Sequence, residues 1–168
     1  MEDIILNKVS ESGIITIDPE LFFPNVEIVA FDLTPFLFRG LLLKEKEFRE
    51  SILNENWSKY SGKAVAVFCS SDAIIPAWAH MLVASMLSGI AHSVYAGTPA
   101  ELEKKLFLQN LEKINATDYI DKRVVVKGCG ETAIGDFAYL EITALLRRVA
   151  KTIMYGEPCS KVPVFKKR

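Results

Sequence analysis

Three short apolar segments, separated by segments of helical length, constrain the fold of this chain more than any other feature. They cover Ala64–Phe68, Ser93–Ala96 and Arg123–Lys127; the first and third are typical of strands buried on both faces, and the second of a short strand. The intervening segments carry helix signals, most clearly Thr98 as an N-cap with Glu101 completing a capping box. Alternating strands and helices favour parallel pairing through right-handed crossovers. We therefore predict an α/β fold: one three-layer domain over residues 1–168, with these segments parallel in one sheet flanked by helices.

The C-terminal third of the chain predicts a long helix followed by an edge strand. Residues 136–156 have an apolar face and reach Gly156, a typical helix stop. The face is formed by Ile142, Leu145, Val149 and Ile153. The tail, residues 161–168, contains KVPVF, an alternating pattern around Pro163 that a sheet tolerates only at its edge. We expect it to pair with a sheet edge, in its own chain or in a partner subunit, and to help fix Cys159. Nearer the N-terminus, two further strands are predicted at Ile14–Ile17 and Val26–Leu33.

Composition excludes several classes of function. The formal net charge of −1, with no basic stripe interleaved with aromatic residues, argues against nucleic acid as a partner. The N-terminus lacks the basic start and apolar run of a signal peptide, and no stretch approaches the ~20 apolar residues of a membrane span. We therefore expect a cytoplasmic protein. In a reducing compartment, three cysteines favour thiol chemistry, metal binding or packing over a disulfide framework.

The three cysteines occupy positions where a shared site could form. Cys69 ends the strand that starts at Ala64, and Cys129 lies one glycine beyond the strand that starts at Arg123. If these two strands are neighbours, their carboxyl ends face each other across a switch point in the sheet, where ligands bind in open α/β folds. Cys159 follows the predicted last helix, and the tail must turn back for it to join the other two.

A converged set of three thiolates would suit zinc or iron. Soft, anionic sulfur ligands select these metals, and a carboxylate or a water molecule could complete the set. The candidate carboxylates are Asp72 first, then Glu157 and Glu131. The predicted metal ligands are therefore Cys69, Asp72, Cys129 and Cys159.

Two other interpretations remain open. Cys69 or Cys129 could be the nucleophile of a small cysteine-dependent enzyme, since a helix N-terminus lowers a thiol pKa. Against this, Pro76 places the next helix a loop away from Cys69, and neither His80 nor His92 has an evident role as a base. Alternatively, the cysteines are incidental in a structural or interaction module, because cysteine is among the most buried residue types.

Several stretches resemble an uncharacterised bacterial family of unknown function. They are LLLKEKEFRE, CSSDAIIPAWAHML, VVVKGC and KTIMYGEPCSKVPVFKKR, which together span most of the chain. The genes of that family are thought to lie near sulfur-mobilisation genes of iron–sulfur cluster assembly. The resemblance therefore implies a cysteine site: Cys69, Asp72, Cys129 and Cys159 look like the ligands of cluster scaffold proteins, although their order and spacing differ.

The function predicted first is that of a cytoplasmic, metal-binding accessory protein, in iron–sulfur cluster or sulfur trafficking. Its cofactor would be zinc or iron. Its partner would be a protein of the same process, with a homodimer also compatible with the sequence and with neither nucleic acid nor a membrane involved. A cysteine-dependent enzyme and a structural module are the alternatives.

Overall fold

The computed structural model describes residues 8–9, 13–128, 130, 132–157 and 160–167. The chain divides into two compact units, a central unit of Pro24–Lys105 and a terminal unit of Met1–Phe23 with Leu106–Arg168. The described strands are β1 (Lys8–Val9), β2 (Ile14–Ile17), β3 (Ile28–Asp32), β4 (Ala64–Phe68), β5 (Ser93–Ala96), β6 (Arg123–Val126), β7 (Thr152–Glu157) and β8 (Ser160–Lys166). The described α-helices are α1 (Glu45–Leu53), α2 (Ala77–Leu87), α3 (Pro99–Leu111) and α4 (Asp136–Leu146).

The central unit is built on a parallel three-stranded sheet in the order β3-β4-β5. Ala64 of β4 pairs with Ile28 on one side and with Ser93 on the other. β4 is continuously apolar because it is the middle strand, and its first four residues are buried. The core of this unit contains Phe31, Leu33, Leu43, Phe48, Ile52, Trp57, Tyr60, Val65, Val67, Ala79, Val83 and Leu87.

Helix α3 begins with the capping box that the sequence predicts. The Thr98 N–H donates to the Glu101 carboxylate at 2.7 Å, and the Glu101 N–H donates to Thr98 Oγ1 at 3.3 Å. Two backbone donors at the helix start are thereby satisfied, which fixes where the helix begins.

The terminal unit has a five-stranded sheet in the order β1-β2-β6-β7-β8. Its three inner strands are parallel, with Val124 of β6 between Ile15 of β2 and Ile153 of β7. The outer strands, β1 and β8, pair antiparallel with their neighbours. The core of this unit contains Ile17, Phe22, Phe107, Leu111, Tyr119, Val124, Val126, Ala138, Ile142, Leu146, Ala150 and Ile153.

The α/β class is confirmed, but the prediction of one sheet is wrong. β4 and β5 are parallel neighbours as expected, whereas β6 belongs to the other sheet. The sequence rhythm of strand and helix is the same whether consecutive strands share a sheet or not, so it does not reveal which strand joins β6. That partner is β2, more than a hundred residues earlier in the chain. The three-layer arrangement and the single domain over residues 1–168 stay predictions.

The long helix predicted over residues 136–156 is also wrong in its second half. Helix α4 ends at Leu146, and Thr152–Glu157 is strand β7. Thr152 and Ile153 are β-branched, and β7 gains ladders with both β6 and β8, so strand pairing overrides the helical spacing. Gly156, with φ of 118°, lies within this strand opposite Lys161 and does not end a helix.

The tail forms the edge strand for which its pattern is typical. β8 pairs with β7 over Ser160–Lys166, and its register shifts between Ile153 and Met154. Pro163, which has no N–H to donate, pairs with Met154 in this outermost strand. The tail is therefore part of the sheet of its own chain.

Candidate functional site

Cys69 follows β4 at the carboxyl end of the central sheet, the end at which parallel sheets form sites. Its side chain is partly buried against the core of the central unit. The Sγ atom lies 3.2 Å from Ser71 Oγ and 3.4 Å from Thr34 Oγ1. A thiol in this position has hydroxyl groups on two sides.

The hydroxyls belong to a compact network that we call the thiol cluster, defined by Asp32, Thr34, Cys69, Ser70 and Ser71. Thr34 Oγ1 accepts hydrogen bonds from the backbone N–H groups of Ser70 and Ser71, at 3.0 and 3.2 Å. The Asp32 carboxylate accepts from the N–H groups of Thr34 and Ser70, at 2.9 and 3.0 Å, and from Ser70 Oγ at 2.6 Å. Because Asp32 and Phe68 are paired in the register of β3 and β4, the residues after the two strands meet.

The network changes the acidity of two groups. Burial raises the pKa of Asp32, but the hydrogen bonds from Ser70 and Thr34 outweigh it and bring that pKa to about 2. Burial also raises the pKa of the Cys69 thiol, and the hydrogen bonds with Ser71 and Thr34 again outweigh it, so the pKa lies below its usual value. The charge of Asp32 opposes that decrease. More of Cys69 is therefore thiolate near neutral pH than in a free thiol.

Sequence reasoning found Cys69 but missed its partners Asp32 and Thr34. The available signal was that Asp32 and Thr34 fall at the carboxyl end of the predicted strand Val26–Leu33. Pairing of that strand with the apolar strand of Ala64–Phe68 would bring them close to Cys69. Of the other candidates, Asp72 is exposed, His80 is partly buried on α2 and His92 is exposed before β5. Within the described ranges, no group of three or more His, Cys, Asp or Glu side chains could hold a metal ion.

A second candidate site is a cleft of about 520 Å³ in the terminal unit, which we call the terminal cleft. It lies where β2 and β6 end and α4 begins, and its ionisable lining residues are Asp18, Glu20, Lys127, Asp136, Tyr139 and Tyr155. Lys127 Nζ lies 2.7 Å from Asp18 Oδ2, and this hydrogen bond raises the pKa of Lys127. The lining thus combines one ion pair with two further carboxylates.

Two glycines let the loop after β6 approach the walls of this cleft. A Cβ added at Gly128 would meet the ring of Tyr155 at 2.5 Å, and one added at Gly130 would overlap the Glu20 carboxylate. Glu20 in turn accepts a hydrogen bond of 2.5 Å from the Thr132 N–H. Gly128 and Gly130 therefore lie close to the walls of the cleft, and no residue larger than glycine fits at position 128 without displacing Tyr155.

A family model described as "Protein of unknown function (DUF2480)" matches residues 3–167. The chain belongs to this family. The comparisons with curated proteins and with solved structures gave no match. The match confirms that the chain belongs to a family of unknown function; the bacterial origin and the gene neighbourhood expected from the resemblance stay predictions. In the described part of the chain, no helix has the length and apolar character needed to cross a membrane.

The remaining cysteines of this DUF2480 chain, Cys129 and Cys159, lie outside the described residues, as does Glu131. In the sequence, Cys129 is the residue between Gly128 and Gly130, and Cys159 follows the end of β7 by two residues. The expectation that the strands of Cys69 and Cys129 are neighbours is wrong, since β4 and β6 belong to different sheets. The neighbours of β6 are β2 and β7, and β7 is the strand that precedes Cys159 in the sequence.

Proposed function

We propose that this DUF2480 chain binds zinc or iron, the latter alone or in a cluster, through Cys129 and Cys159. In this role it would serve as an accessory factor in iron–sulfur cluster or sulfur trafficking. The observation that carries the proposal is the pairing of β6 with β7 as parallel neighbours, since the chain runs into Cys129 after one strand and into Cys159 after the other. Carboxyl ends of parallel neighbours lie at one edge of a sheet.

The surroundings of these strand ends suit a soft metal. Thiolates are the ligands that zinc and iron–sulfur clusters select, and carboxylates are common additional ligands of zinc. Glu157 ends β7, and the terminal cleft contributes Asp18, Glu20 and Asp136. Asp18 is already paired with Lys127, which leaves Glu20 and Glu157 as the carboxylates to consider first beside Asp72. Metal binding would release protons from both thiols.

Cys69 and Asp72 stay predicted members of the ligand set. Both belong to the central unit, where Cys69 already has hydroxyl neighbours in the thiol cluster. Replacing each cysteine by serine, one at a time, shows whether two or three cysteines bind the metal.

The test is elemental analysis of protein purified without a metal-affinity tag and without oxygen. We expect zinc or iron in the wild type, and its loss in Cys129→Ser and in Cys159→Ser. Cys69→Ser is measured beside them: metal retained in this variant indicates a set of two cysteines, and metal lost indicates a set of three. Metal occupancy should fall as the pH is lowered, because protons compete for the thiolates. A wild type that carries neither metal and takes up neither under reducing conditions would refute the proposal.

A second candidate function is a thiol-dependent enzyme that uses Cys69 as its nucleophile. The observation that favours it is the position of Cys69 Sγ within hydrogen-bond distance of the hydroxyls of Thr34 and Ser71, contacts that lower the pKa of the thiol. Iodoacetamide should then modify Cys69 faster than Cys129 and Cys159 near neutral pH, and a Thr34→Val variant should slow that reaction. Equal rates at all three cysteines would contradict a specialised nucleophile.

A further inference from the structure

Helix α4 presents one continuous stripe of side chains beside its buried face, bordering the sheet. Asp136, Leu140, Thr143 and Arg147 recur at intervals of four, three and four residues, which places them on one face. The buried residues of the helix, Ala138, Ile142 and Leu146, form that buried face. Leu140 is 70% exposed at the middle of the stripe.

The stripe borders an apolar groove of about 770 Å³. Leu140, Ala144 and Arg147 line one wall, and Tyr155 and Val164 of β7 and β8 line the other. Tyr155 and Val164 are 42% and 53% exposed. Arg147 is held at the end of the groove, with its guanidinium carbon 3.8 Å from the centre of the Phe165 ring. Exposed apolar side chains grouped around a concave surface are typical of a protein interface.

The charges of the stripe match those of a second, antiparallel copy of the same stripe. Asp136 and Arg147 are equally far, in residues, from the midpoint between Glu141 and Ile142, and so are Leu140 and Thr143. Rotating a second copy of α4 by 180° about that midpoint would put the acid of each helix opposite the base of the other. The small side chains of Thr143 and Ala144 would leave room for Leu140 of the partner subunit.

We infer that α4 packs antiparallel against α4 of a second copy of this chain, forming a twofold dimer. Each Leu140 enters the groove of the other subunit, and Asp136 faces Arg147 of the partner subunit at both ends. A twofold interface must be self-complementary, and this stripe is. A strongly charged partner is disfavoured because the stripe carries one acid and one base.

Pairing of two copies through the outer edge of β8 is disfavoured by that strand. Pro163 lacks an N–H, the register shift interrupts the ladder, and Lys161 and Lys166 are charged. These are the features with which proteins protect edge strands against further pairing. The face of α4 is therefore favoured over the β8 edge as the surface that a second copy would use.

Sedimentation velocity over a concentration series tests the inference. The wild type should be a dimer that dissociates on dilution, and Leu140→Glu should be a monomer. Leu53→Glu is the control, because Leu53 is 73% exposed at the end of α1 and should leave the dimer unchanged. Circular dichroism melts show whether each variant is folded. A wild type that is monomeric at every concentration, or a Leu140→Glu variant that still forms the dimer, would overturn the inference.

Charge reversal tests the antiparallel geometry. Asp136→Arg and Arg147→Asp should each raise the dissociation constant at least about tenfold, because each puts like charges together at both ends of the interface. Mixing the two variants should restore a dimer. At one end of the mixed dimer the two substituted side chains, now of opposite charge, face each other, and at the other end the native pair is intact.

Arg148→Asp, the neighbouring residue outside the stripe, should leave the dissociation constant unchanged. Failure of the mixture to associate, with both variants folded, would rule out the pairing of residues 136 and 147.

Discussion

The two sheets of this protein end differently on the side where parallel sheets form sites. After β4, the chain forms the thiol cluster, in which the Asp32 carboxylate and the Thr34 hydroxyl bind the backbone of the next residues. After β6, the loop with Gly128 and Gly130 borders the terminal cleft. In the thiol cluster, side chains satisfy the backbone that follows the strands, whereas at the terminal cleft two glycines let the backbone lie close to Tyr155 and Glu20 beside a volume of about 520 Å³. The terminal cleft therefore encloses a volume between its walls, whereas the thiol cluster holds the Cys69 side chain among hydrogen-bond partners.

Deleting Lys161–Arg168 should have the largest effect on this comparison. The deletion removes most of β8, leaves β7 as an unpaired edge and takes Phe165 from the core of the terminal unit. We expect the free energy of unfolding to fall by about 3–5 kcal/mol, from lost ladder hydrogen bonds and apolar burial. Urea denaturation measures it, with Lys161→Ala as the control. An unchanged midpoint would mean that β8 does not stabilise the wall of the cleft that carries Tyr155.

Gly128→Ala should disturb the terminal cleft and leave the thiol cluster unchanged. The added Cβ meets the ring of Tyr155, so the ring or the loop must move, at a cost of about 1–3 kcal/mol. Gly130→Ala is the matched comparison, because the obstacle there is the flexible end of Glu20. Thermal melts should therefore show a larger loss for Gly128→Ala. The opposite order would show that the contact between Tyr155 and the loop is not what requires glycine.

Thr34→Val should disrupt the hydrogen bonds of the thiol cluster. It removes the acceptor of the Ser71 N–H and one neighbour of Cys69, and leaving this partly buried donor unpaired should cost about 1 kcal/mol. The pKa of Cys69 should also rise, because one hydrogen bond that lowers it is lost. Alkylation rates measured across pH report that change. Thr34→Ser, which keeps the hydroxyl, should behave like the wild type; equal alkylation profiles for serine and valine would contradict the role of Thr34.

Asp32 should give the smallest effect, through the pH dependence of stability. Its pKa is about 2 in the folded protein against 3.8 in a free side chain, so its contribution is present above pH 3.8 and is lost as the pH falls through 2. Allowing for solvent screening of this partly exposed group, the contribution is roughly 1 kcal/mol. Urea denaturation between these pH values measures it. Asp32→Asn should remove this part of the slope, and an identical slope in the variant would mean that other carboxylates cause it.

The sequence predicted local features of this fold better than distant ones. The apolar run of β4 and the capping box at Thr98 depend on neighbouring residues, and both are found where expected. The partner of β6 depends on a pairing between Ile14 and Arg123, which no local pattern encodes. Residues 152–157 show the same limit, because their apolar spacing fits a helix as well as a strand until the sheet supplies partners for both edges.

The candidate site follows the same division. Cys69 is visible in the sequence as a cysteine at a strand end, but its pKa depends on Thr34, which is distant in the chain and adjacent in space. The terminal cleft was missed because its walls come from both ends of the chain, with Glu20 on one side and Tyr155 on the other. The three-cysteine metal site stays a prediction, since it involves Cys129 and Cys159.

The terminal unit is built from both ends of the chain, and this determines the order in which the two units can fold during synthesis. Strand β2 is synthesised early, but its parallel partner β6 follows only after the whole central unit. At a synthesis rate of about 5–20 residues per second, the edge of β2 that pairs with β6 stays unpaired for several seconds. The sheet of the central unit needs only contiguous sequence and can close during this interval. The slow step of folding is therefore expected to be the closure of β2 on β6, a long-range contact made late in synthesis.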